Sequence, residues 1–139
     1  MTPIQLVLDC ADAHAQARFW AAALGYEVED HHDLITQLVS AGHAPAEAAF
    51  ELGGRMAWRD MAACRDPEGA RPRLLLQRVP EAKVAKIRLH LDLQVGQEAR
   101  PAEQARLEAL GARKLYDGQL GPGTWVTMAD PEGNEFCLT

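Results

Sequence analysis

Apolar and polar residues alternate along Ile4–Cys10, with Ile4, Leu6 and Leu8 on one face and Gln5, Val7 and Asp9 on the other. That period of two predicts a strand covered on one side. Asp12 is placed to cap a helix over the alanine-rich Ala13–Leu24, which Gly25 closes, and Tyr26–Glu29 reads as a second strand. The same grammar returns later in the chain. Ile87–Val95 alternates with Leu89, Leu91 and Leu93 on one face and Arg88, His90, Asp92 and Gln94 on the other. Pro101 suits the first turn of a helix that runs to Leu110, with Gly111 closing it. Further strands are expected at Met56–Cys64, Arg73–Val79, Leu115–Tyr116, Thr124–Ala129 and Glu135–Thr139.

The turn Asp-Pro-Glu-Gly occurs twice, at Asp66–Gly69 and Asp130–Gly133. Asp bonds its own downstream backbone, Pro presets φ, and Gly supplies the reversal. Ala23-Leu24-Gly25 is echoed by Ala109-Leu110-Gly111. These echoes predict an α+β fold, a single domain over residues 1–139 built from two βαβββ modules. The first module covers about 1–80 and the second about 84–139, with Pro80–Lys83 as linker. The first also carries about 22 extra residues, an insertion at about 31–54 expected to be helical. Leu34, Ile35, Leu38 and Val39 have helical spacing there, and Ala44–Phe50 reads as a second short helix begun at Pro45. Each module leaves one sheet face open. Two curved sheets pairing those faces would enclose a cavity lined by Gln5, Val7 and Asp9 and by His90, Asp92 and Gln94.

Four features together resemble the vicinal oxygen chelate superfamily of glyoxalases, bleomycin-resistance proteins and extradiol dioxygenases. They are the repeated βαβββ order, the Phe19–Gly25 helix end, the Arg88–Leu93 strand and the Asp130–Cys137 ending. The resemblance covers nearly the whole chain outside the insertion and is closest to actinobacterial-type glyoxalase-like domains. It implies a homodimer and, in the usual case, a divalent ion held by the first and last strand of each module. The first-strand positions are Gln5 and His90, each seven residues before Asp12 or Gln97. The last-strand position usually holds Glu seven residues after the turn Asp, but here it is Cys137, with Glu135 on the same strand face. In the first module Gln77 is the nearest polar residue. Neutral amides replace carboxylates poorly around a divalent ion, so the expected cofactor is none; if an ion is held, Gln5, His90 and Cys137 are its ligands.

Composition narrows the partners. A net charge of −6 without a basic face excludes nucleic acid, and no apolar run is long enough for a membrane span. The start of the chain shows no secretory pattern, and three widely spaced cysteines read as free thiols, so a cytoplasmic protein is expected. His90 is the leading site candidate because it lies opposite the leucine face, and an imidazole titrates near neutrality. Glu135 is the candidate general base beside it. Gln5, Gln77, Asp92 and Cys137 are candidate ligand contacts, while Trp58 and Trp125, before their turns, are placed to stack on a planar molecule. Phe19 and Trp20 read as core, and His31, His32 and His43 as solvated turn residues. Two functions follow. One is a bleomycin-resistance-type protein binding a small planar or aromatic molecule in a largely metal-free cavity. The alternative is a divalent-metal-dependent lyase, isomerase or dioxygenase. A degenerate module serving regulation or dimerisation is a third.

Overall fold

The first strand and helix form where the pattern places them. In the computed structural model, which describes residues 1–139, strand β1 spans Leu6–Cys10 and helix α1 spans Ala13–Leu24. Asp12 accepts the Ala15 N–H at 2.9 Å, and Gly25 ends the helix in the left-handed conformation. The chain divides into two units, Met1–Pro80 and Glu81–Thr139.

In the first unit β2 (Glu27–Val28), β5 (Met61–Arg65) and β6 (Leu74–Arg78) join β1 in the order β1-β6-β5-β2. β1 and β6 are parallel and the other pairs antiparallel. Ala62, Cys64, Leu74 and Leu76 are buried, as are Ala17, Trp20 and Ala21 of α1. The alanines let helix and sheet approach closely, and Phe19 and Trp20 are core residues as expected.

The second unit repeats this topology. β7 (Asp92–Leu93), α3 (Arg100–Ala109), β8 (Arg113–Leu120), β9 (Gly123–Ala129) and β10 (Glu135–Leu138) follow one another. Their sheet runs β7-β10-β9-β8, again with first and last strands parallel. Both turns are built alike. The Gly69 and Gly133 N–H groups donate to the Asp66 and Asp130 carbonyls at 3.0 and 2.9 Å. The fold is therefore mixed α+β with two βαβββ units, each sheet covered by a helix on one side.

The insertion differs from its expected form. Helix α2 (His32–Ser40) is present, but Ala44–Phe50 gives only a 3₁₀ turn at Ala46–Ala48. Ala49–Leu52 becomes strand β3, which forms a separate hairpin with β4 (Arg55–Trp58). The Arg59 guanidinium takes the carbonyls of Glu47 and Ala49 at 3.0 and 3.1 Å, groups a continuing helix would need. Gly53 and Gly54 both have positive φ, which a two-residue hairpin turn of the favoured twist requires. The single strand expected over Met56–Cys64 is thus two strands in different sheets.

The strand expected over Ile87–Val95 shortens to Asp92–Leu93. Only Asp92 and Leu93 pair in the ladder, with Cys137 and Leu138, although β10 begins two residues earlier at Glu135. The Ile87 N–H instead donates to the Glu135 carboxylate at 2.9 Å, and Leu89 is exposed rather than core. His31 and His32 are not solvated turn residues. His31 Nε2 pairs with Glu29 at 2.8 Å, and His32 Nδ1 accepts the Met56 N–H at 2.8 Å, tying α2 to β4. No helix is long and apolar enough to cross a membrane.

Candidate functional site

Side chains of β9 and β10 alternate as a half-covered sheet requires. Val126, Met128, Phe136 and Leu138 are buried, while Trp125, Thr127, Glu135, Cys137 and the terminal Thr139 turn to the other side. One rung crosses all four strands of the second unit. Asp92 lies opposite Cys137, Cys137 opposite Thr127, and Thr127 opposite Tyr116. These residues, with Trp125 and Glu135, line a concavity of about 340 Å³. Lys86, His90 and Thr139 complete its wall.

Trp125 owes its place to the residue opposite. Gly118 is its cross-strand partner, and a Cβ there would meet the indole at 2.0–2.4 Å. The ring therefore lies against bare backbone, a use of glycine that depends on space and not on φ. Tyr116 sits on the same face of β8, next to a register shift between Lys114 and Tyr116.

The polar groups gather at the β7–β10 side. His90 Nε2 is 3.4 Å from Asp92 Oδ1, and the ligating atoms of His90, Asp92 and Cys137 all lie within 4.8 Å of one another. Cys137 is buried, and burial pushes its thiol above the ordinary value while the Thr127 hydroxyl, 3.6 Å from Sγ, opposes that. For Glu135 burial acts upward too. The Ile87 N–H at 2.9 Å and Lys83 Nζ at 3.1 Å outweigh it and hold the carboxyl below its usual range. Its oxygens are engaged in holding residues 83–87.

The corresponding polar positions of the first unit are occupied differently. Gln5 Oε1 accepts from Arg73 Nη1 at 2.6 Å, and Arg73 grips Glu29 through two contacts of 2.7 Å. This two-point hydrogen bonding from Arg73 is the main reason the Glu29 carboxyl falls to about 2. Gln77 is exposed, opposite Asp9 on β1 and Met61 on β5, and its carbonyl accepts from the Cys10 thiol at 3.5 Å. Trp58 stands on the β3–β4 hairpin, where its carbonyl bonds His14 Nε2 at 2.8 Å.

Of the sequence candidates, His90, Asp92, Trp125, Glu135 and Cys137 come together in the second unit. Gln5, Gln77 and Trp58 belong to the first. Sequence reasoning missed Tyr116, Gly118 and Thr127. Thr127 was legible, two residues from Trp125 on one strand, whereas Tyr116 and Gly118 depend on a register that the β8 irregularity shifts.

A divalent ion of the kind the fold family uses fits these residues unevenly. On Gln5 it would face a guanidinium already bonded to that oxygen, and like charges at such range repel. His90, Asp92 and Cys137 offer nitrogen, oxygen and sulfur donors that suit a softer ion.

Known proteins share this fold. A possible glyoxalase from Bacillus cereus is 17% identical, with a TM-score of 0.61 over 100% of this chain and 98% of that one. A point mutant of the fosfomycin resistance protein FosX from Listeria monocytogenes was solved with Mn(II) and 1S,2S-dihydroxypropylphosphonic acid. It is 13% identical, with a TM-score of 0.63 over 99% of this chain and 89% of that one. The bleomycin-binding protein of Streptomyces verticillus, complexed with copper(II)-bleomycin, is 19% identical, with a TM-score of 0.55 over 100% and 95% of the two chains. No curated protein gives a significant sequence match. The sequence model of the glyoxalase-like domain family matches residues 5–139, and the chain belongs to that family.

Proposed function

We propose that this protein binds a small planar or aromatic molecule in the concavity of its second unit, by ring stacking and hydrogen bonding rather than through a hard-cation centre. The observation that carries this reading is Trp125 laid against Gly118, with Tyr116 on the neighbouring strand. The two aromatic side chains flank a pocket of about 340 Å³, large enough for a small flat molecule. His90, Asp92 and Thr127 supply hydrogen bonds at its polar end, and Cys137 lines its floor. Glu135 holds the 83–87 segment that forms one wall. Gln5 receives no ligand role, because Arg73 already bonds its oxygen. The Streptomyces neighbour, a binder of copper(II)-bleomycin, exemplifies this use of the fold.

A second reading is a divalent-metal-dependent lyase, isomerase or dioxygenase. The proximity of His90, Asp92 and Cys137 favours it, and the Listeria neighbour carries Mn(II). An ion held by these residues would polarise a substrate oxygen.

Fluorescence titration with copper(II)-bleomycin and with anilinonaphthalene sulfonate tests the stacking reading. At least one should bind, with Trp125→Leu weakening it about tenfold or more. Equal affinity in Trp125→Leu and Tyr116→Leu would refute the reading.

A further inference from the structure

One charge on the wall of the concavity stands apart from the others. Both carboxylates there have partners close by. Glu135 has Lys83 Nζ at 3.1 Å from one oxygen and accepts the Ile87 N–H on the other at 2.9 Å. Asp92 Oδ1 lies 3.4 Å from His90 Nε2. Lys86 is the one lysine or arginine of this wall, and it is ion-paired to neither carboxylate. Its backbone is nonetheless fixed on both sides. Lys83 Nζ also donates to the Ala85 carbonyl at 2.8 Å, while the Ile87 N–H is held by Glu135. Residues 85 and 87 are thus anchored around one carboxylate, and Lys86 between them is presented to the concavity. Its charge reaches the floor. Burial is the largest influence on the Cys137 thiol and raises it, and the Lys86 ammonium is among the groups acting against that rise.

We infer that the concavity takes an aromatic anion, a flat ring bearing one carboxylate or sulfonate group, with Lys86 as its counter-ion. This ligand class rests on the stacking reading of the pocket: the ring lies against Trp125 and Tyr116 while its acid group meets the ammonium. In a concave site an ammonium concentrates anions more effectively than on a convex surface, and its charge-assisted hydrogen bonds are strong. Lys86 is therefore a specificity residue that favours an acid over an amide or a cation of the same shape. Asp92 and Glu135 do not reverse that sign, because His90 and Lys83 stand against them. The net charge of the whole chain is −6, which repels anions in general. A preference for an anion must then arise locally.

The test compares naphthoate, naphthamide and naphthylmethylamine, three probes with one ring system and different charge. Each is titrated into the full-length protein at pH 7 and followed by amide chemical shifts. Naphthoate should bind at least about fivefold tighter than naphthamide, with the amine weakest. Lys86→Met should bring naphthoate down to the affinity of naphthamide, and Lys86→Arg should keep the preference. Lys86 is exposed, so both variants should show an unchanged circular dichroism spectrum. Salt at about 0.5 M should narrow the gap between acid and amide by screening the pair. A naphthoate preference below about fivefold, an amine that binds tightest, or a preference that survives Lys86→Met would each overturn the inference. In those cases binding that Trp125→Leu weakens leaves the stacking reading standing. If none of the three probes binds at about 1 mM, the ligand class and the stacking reading fall together.

Discussion

Gly118 and Trp125 show how far one missing methyl group can shape a site. A Cβ on Gly118 would lie 2.0–2.4 Å from the indole, so Gly118→Ala must move either the ring or the β8 backbone. A loss of about 1–3 kcal/mol in urea unfolding is expected, together with a shifted tryptophan emission and weaker binding of the aromatic probe. Trp125 was singled out in the sequence by its place before the second Asp-Pro-Glu-Gly turn, on an expected strand. Gly118 was not, because a glycine's purpose here is written on the opposite strand. The Arg73–Glu29 pair is the other residue-scale feature hidden from the sequence, since its partners are 44 residues apart. Glu29 has a folded value of about 2 against an ordinary 4.5. Its contribution is therefore complete above pH 4.5 and is lost as pH falls from there toward 2. With solvent screening it amounts to about 1–2 kcal/mol. Glu29→Gln should lower stability at pH 7 by that much and by progressively less below pH 4.5, as measured by urea unfolding at several pH values.

Among the elements, the two Asp-Pro-Glu-Gly turns are the most informative, and they were fully legible. Their chemistry is local, so four consecutive residues suffice to specify it. Asp130 is buried and accepts the N–H groups of Glu132 and Asn134 at 2.9 Å, and the Asn134 side-chain amide at 2.9 Å. Asp130→Ala should cost about 2–4 kcal/mol in urea unfolding, because buried donors lose their acceptor. Where an element depended on a distant partner, the pattern over-read. Ile87–Val95 alternates like a strand, yet only Asp92 and Leu93 pair with β10, and the Glu135 side chain accepts the Ile87 N–H instead. Ala44–Phe50 has helical composition, but Arg59 claims its carbonyls and the hairpin claims its end. In both places a side chain competes for backbone groups, which no local periodicity records.

At the scale of the chain, two copies of one topology have diverged in chemistry. The repeated turn, the repeated helix end and the expected strand order made the repeat visible in the sequence, and the two units have corresponding strand orders, β1-β6-β5-β2 and β7-β10-β9-β8. The functional divergence was only half visible. Replacement of the last-strand carboxylate by Cys137 could be counted from the turn, but the locking of Gln5 by Arg73 and the rung from Asp92 to Tyr116 required the structure. The central claim is that ligand recognition resides in the concavity of the second unit. Amide chemical-shift mapping by NMR during titration with anilinonaphthalene sulfonate tests it most directly. The shifts should concentrate at Tyr116, Trp125, Thr127 and Cys137. Saturable binding with its shifts confined to Met1–Pro80 would contradict it.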